Sequence, residues 1–136
     1  MRTRHSFGEH VGEVRLRVEA PTLRELFEET GRALAELSAD VSHDAAPAAE
    51  ERVEIAARDR DALLVAWMNE LVFRAETRKL VYDDLRVDPV DDTTLRATIC
   101  GRRPLRVRTA VKAATMHDLR VEEDADGFAA SVVLDV

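Results

Sequence analysis

Thr115 and His117 are the first residues that ask for a chemical explanation, because they interrupt a run otherwise built like a buried strand face. In Val111-Lys112-Ala113-Ala114-Thr115-Met116-His117-Asp118-Leu119-Arg120-Val121, the residues Val111, Ala113, Leu119 and Val121 share one parity with Thr115 and His117. Strand side chains alternate between faces, so this spacing predicts an apolar face with a hydroxyl and an imidazole in its middle. An imidazole there can donate, accept or carry a proton near neutral pH. The same pattern also describes a packed Thr and His satisfied by neighbouring backbone. Lys112 has the opposite parity, so it and His117 act at one place only if a bulge or a strand end intervenes.

A second concentration of chemistry is Arg102-Arg103-Pro104-Leu105-Arg106-Val107-Arg108, with four arginines in seven residues. On a chain of formal net charge -7 it is a local basic spot, suited either to plain solvation or to an anionic partner surface or RNA. The acidic balance argues against a protein whose main work is gripping nucleic acid, since that affinity comes chiefly from neutralised phosphates, and leaves only an indirect or very local role there. Only two lysines, Lys79 and Lys112, stand against eighteen arginines, which together with the abundant alanine reads as the bias of a GC-rich genome. The single cysteine, Cys100, excludes an internal disulfide framework and any CxxC site. The polar start and the lack of a membrane-length apolar run predict a cytoplasmic protein. There is no P-loop, GxGxxG, HExxH or GxSxG pattern and no nucleophile–base pair at a recognisable spacing.

These residues need a scaffold, and the chain supplies one domain's worth over 1–136. After a short polar lead, Val14, Leu16 and Val18 alternate with Glu13, Arg15, Arg17 and Glu19, predicting a half-buried strand. Thr22 and Glu25 then form a capping-box pattern ahead of a helix with Leu23, Leu26, Phe27, Leu34 and Leu37 on one stripe, fading by Asp40. A connector over 42–50 leads to a strand at Val53, Ile55 and Ala57. Asp59 or Asp61 then caps a helix whose apolar face carries Leu63, Leu64, Trp67, Met68, Leu71, Val72 and Ala75. Beyond it the period falls to two, predicting strands at 80–87, 94–101, 111–122 and 128–136, joined as two hairpins. The order β-α-β-α-β-β-β-β predicts an α+β fold with two amphipathic helices on one face of a mostly antiparallel sheet.

With these elements in place, the chain resembles the archease family, small proteins that assist the RtcB-type tRNA-splicing RNA ligase. The resemblance rests on Val111-Lys112-Ala113-Ala114-Thr115-Met116-His117-Asp118, close to the family's Val-Lys-Ala-x-Thr-x-His-Asp strand, and on Asp135-Val136 where the family ends in Asp-Ile. The early His-Thr-Ala-Asp motif appears as His10-Val11-Gly12-Glu13, with Glu in place of Asp. The resemblance implies an activator, not an enzyme, that promotes guanylylation and repeated turnover of the ligase in tRNA splicing or RNA repair, meeting RNA only indirectly. It implies a divalent cation, commonly calcium, held by Glu13, Asp135 and the oxygens of Val136. Oxygen-only donors suit such a hard cation. His10, Lys112, Thr115, His117 and Asp118 become the candidates for acting on the ligase, with Lys112 directed to phosphate and His117 as donor or proton carrier. The alternative is a non-catalytic interaction domain of the same fold that has lost the metal; a stand-alone metal-dependent enzyme using Glu13, Asp135 and His117 ranks last.

Overall fold

Alternation at Val14, Leu16, Val18 and Ala20 puts four buried side chains on one face of a strand and leaves Arg17 in solvent on the other. In the computed structural model, which describes residues 2–42, 44 and 46–136, that strand is β2 (Glu13–Ala20). The elements in order are β1 (Arg4–His10), β2, α1 (Leu23–Ser38), β3 (Ala39–Asp40), β4 (Ala49–Ala56), α2 (Arg60–Arg78), β5 (Val81–Val87), β6 (Thr94–Arg102), β7 (Arg106–Val107), β8 (Ala113–Asp124) and β9 (Gly127–Asp135). The predicted α+β architecture holds as a single domain, and every strand pairing is antiparallel. The strands divide between a sheet of order β1-β2-β9-β8 and one of order β4-β6-β5, with β3 and β7 as a two-residue ladder. Both helices touch both larger sheets, so one core is shared among Leu16, Phe27, Trp67, Leu85, Ile99 and Leu134.

The polar lead is in fact β1. Its sequence hides it, because an edge strand with only His5 and Phe7 turned toward α1 has no apolar alternation to read. His5 fixes it by bridging Glu29, at 2.6 Å, and Glu36 on α1, and its ring meets Phe7 edge-on at 5.4 Å. Burial of the imidazole opposes its charge, yet the two carboxylates outweigh this and raise its pKa. A raised histidine contributes stability that is fully present below its unfolded pKa and lost as pH rises through the folded one. Stability measured by urea denaturation is therefore expected to fall across that window, and His5→Gln to flatten the fall; an unchanged slope in the variant would contradict the assignment.

The helices begin as their caps dictate. Thr22 accepts from the Glu25 N–H at 3.2 Å, while the Glu25 carboxylate accepts from the Thr22 hydroxyl instead of reaching back to its N–H. Asp59 caps α2 through the Ala62 N–H at 2.8 Å, which releases Asp61 for another task. Helix α2 ends on Lys79 with φ 58°, a left-handed conformation that glycine adopts without strain. Lys79→Gly is expected to stabilise the fold by about 0.5–1 kcal/mol, the relief of strain being partly offset by unfolded-chain entropy. A lower urea midpoint would show that the lysine side chain outweighs its backbone.

Candidate functional site

The strand carrying Thr115 and His117 is held from one side by α2. The Asn69 side chain donates to the Ala114 carbonyl at 3.1 Å and accepts from its N–H at 2.8 Å, while Asp61 accepts from the Val121 N–H at 2.8 Å. These anchors are eight residues apart on a helix, about 12 Å. The facing stretch of β9 from Leu134 to Ala130 is four steps, about 13 Å, whereas Ala114 to Val121 is seven steps, about 23 Å if fully extended. The surplus leaves the ladder. Thr115 pairs with Val133 and the next pair is Arg120 with Ser131, so three extra residues loop out over 116–119.

This bulge corrects the predicted face. An odd insertion reverses parity, so Val121 turns toward the helices opposite Ala130, whereas Thr115 lies on the other face beside Val133. His117 leaves both faces and is exposed, its Nε2 3.3 Å from the Asp118 carboxylate. Asp118 takes φ 55°, which aspartate tolerates better than most residues, and its carboxylate reaches back to Arg15 on β2 at 3.5 Å. Thr115 donates to the Val133 carbonyl at 3.2 Å.

On the face away from the helices, register brings the terminal candidates into one row. His10 pairs with Glu13, Glu13 with Asp135, and Asp135 with Ala113, across all four strands of the sheet. Val11 and Gly12 make the two-residue turn between the first two, with Gly12 at φ 74°. The Gly12 carbonyl accepts from the Val136 N–H at 3.1 Å, which seats Val136 against the turn. His10 Nδ1 accepts from the Val11 N–H at 3.0 Å, leaving Nε2 to carry the proton in the neutral ring. Thr115 and the Asp118–Arg15 pair occupy the next row, about 7 Å along the strands.

The donors fit a hard cation in kind, all three being oxygen, but they are short in number. Among the described residues no three His, Cys, Asp or Glu side chains converge closely enough to hold a metal ion. Glu13, Asp135 and a main-chain oxygen of Val136 would supply only part of a cation's oxygen shell, the rest having to come from water or a partner. Lys112 does not join this row. Its N–H donates to the Asp135 carbonyl at 2.8 Å, but its side chain lines a cavity on the helix side.

The arginine run is mostly consumed within the chain. Arg102 meets Asp83 at 3.1 Å, and Arg106 and Arg108 meet Asp40 at 3.0 and 3.4 Å. Sequence reasoning missed Arg15, which orients the bulge, and the exposed Val11 and Met116 beside the row; scattered surface valines and methionines carry no periodic signal. It also passed over Lys79, although the scarcity of lysine marked it.

The protein-family comparison places residues 5–136 in the Archease protein family (MTH1598/TM1083). An archease of Methanothermobacter thermautotrophicus is 34% identical, with 84% of this chain and 85% of that protein aligned. One of Methanopyrus kandleri is 32% identical over 94% and 96% of the two chains. The solution structure of Methanobacterium thermoautotrophicum protein 1598 superposes with a TM-score of 0.75 at 27% identity, covering 97% of this chain and 98% of that one. A crystal structure of a Thermotoga maritima archease, called a possible chaperone, shares the fold at a TM-score of 0.67 and 20% identity over 100% and 98% of the chains. On the match from residue 5 to residue 136, this chain belongs to the archease family.

Proposed function

We propose that this chain is an accessory protein that activates an RtcB-type RNA ligase, promoting the ligase's guanylylation and repeated turnover without joining RNA ends itself. The observation that carries the reading is the row of Glu13 and Asp135, two carboxylates placed directly opposite each other. Like charges in that position destabilise a sheet unless a cation offsets them. A divalent cation bound there would supply that offset and attract phosphate oxygens. Near the row, Val11 is 94% and Met116 43% exposed, two separate apolar side chains that a protein partner would cover.

The chain's own groups divide the remaining work. His10 offers Nε2–H in the row, and the exposed His117, its Nε2 3.3 Å from the Asp118 carboxylate, offers an imidazole at the bulge. Thr115 keeps the strand in place through Val133, next to the bulge. Lys112 approaches from the other side of the same strand with a compact, mobile ammonium suited to phosphate.

The test combines the purified chain with the RtcB-type ligase of the same genome and GTP, and follows ligase guanylylation. A rate that rises with the chain's concentration, with no joining of RNA by the chain alone, is the expected result. An unchanged rate sinks the proposal. The lack of convergence at the row favours one second reading, an interaction domain of the same fold that acts without metal. In that case stimulation persists in a chelator.

A further inference from the structure

The two lysines of an otherwise arginine-using chain are 33 residues apart in sequence, and both line the same cavity. It holds about 610 Å3 between the C-terminal halves of α1 and α2, the start of β5 and the segment 104–112. Its walls are mainly aliphatic, with Leu34, Leu71, Val72, Val81 and Val111 among them. That volume lies within the range of small-molecule sites, which typically join apolar walls to a few placed polar groups.

The charges at this cavity are unbalanced. Lys79 and Lys112 stand against one lining carboxylate, Glu76, and neither lysine forms an ion pair with any described residue. Most of the arginines described here are paired, so an unpaired lysine at both positions is a departure from the chain's habit. The helix C-termini that face this region have main-chain partners for carbonyls of their last turns. The Ser38 carbonyl accepts from the N–H groups of Arg108 and Thr109, and the Ala75 carbonyl accepts from those of Lys79 and Leu80. Lysine stems extend apolar walls while their ammonium groups reach water, a fit that a planar guanidinium matches less well.

We propose that this cavity binds a small amphipathic anion, its apolar chain lodged between α1 and α2 and its carboxylate or phosphate head between Lys79 and Lys112. The site opens on the helix side of the sheet and shares Lys112 with the groups proposed to face a ligase, but its occupancy does not require a ligase.

Isothermal titration with decanoate, decyl phosphate and decanol, each below its aggregation limit, tests this. Both anions are expected to bind saturably and about tenfold or more tighter than the alcohol, as two unpaired ammonium groups would favour. The tighter of the two anions identifies the head group. Lys79→Gln and Lys112→Gln, which remove the charge and keep most of the stem, should each weaken both anions about threefold to tenfold and leave decanol unchanged. Ala75→Phe, which fills the cavity from α2, should remove binding of all three, with circular dichroism confirming the fold. Absence of saturable binding, equal affinity for decanol and the anions, or an unaffected Ala75→Phe would each overturn the proposal.

Discussion

Trp67→Ala is expected to destabilise the protein by about 3–5 kcal/mol, the range for deleting a fully buried large aromatic side chain. Trp67 is fully buried, and its ring lies against α1 beside Gly31. Gly31 lets α1 lie close on β5: a Cβ there would come within 2.6 Å of Leu85 Cδ1, while Trp67 Cζ2 at 3.5 Å would be in ordinary contact. The indole Nε1–H also donates to the Phe27 carbonyl at 2.9 Å, so the ring joins the helices by both packing and hydrogen bonding. Alanine leaves a cavity that neither helix can close without dragging its sheet along. Trp67→Phe keeps most of the volume and should cost about 1–2 kcal/mol, roughly the hydrogen bond plus a small void. Urea denaturation separates the two. A loss below about 1 kcal/mol for the alanine variant would mean that the residue is not the centre of the core.

The scaffold was legible wherever one face is wet and the other buried. The stripe of α2 reads directly in Leu63, Leu64, Trp67, Met68, Leu71 and Val72, all buried. The turn at 89–93 is set by Asp91, whose carboxylate accepts from the N–H groups of Thr93 and Thr94. The pattern fails where pairing depends on neighbours far along the chain. Strand β1 is polar because it is an edge, and its place comes from pairing with β2 and from the His5 bridge to α1. The bulge in β8 is invisible in its own residues. It follows from Asn69 and Asp61 on another element, whose spacing admits fewer strand residues than the chain supplies. The single face expected for these residues is not what the strand forms: Thr115 turns outward, Lys112 lines the helix-side cavity, and His117 is exposed on the bulge.

Asp135→Ala is expected to lower stimulation of a partner ligase's guanylylation by about tenfold or more, and to remove any calcium-dependent rise in the wild-type melting temperature. The residue is paired on both sides, with Glu13 on β2 and Ala113 on β8, and its own carbonyl accepts from Lys112. Its side chain can thus be removed without disturbing the ladder, and the apo protein should be no less stable because two opposed carboxylates become one. The substitution distinguishes a binding role from a structural one: lost calcium response with unchanged apo stability marks a ligand, whereas lost apo stability marks a scaffold residue. Glu13 gives the complementary test. Its stem is one methylene longer than aspartate, so Glu13→Asp should keep or improve calcium affinity, while Glu13→Gln removes a full charge from an oxygen-only site and should weaken it. If wild type and Asp135→Ala respond identically to calcium, Asp135 is not a ligand. If the variant has lost that response yet still stimulates the ligase fully, the interface works without the metal, and activation has to be sought in His10, His117 and Lys112.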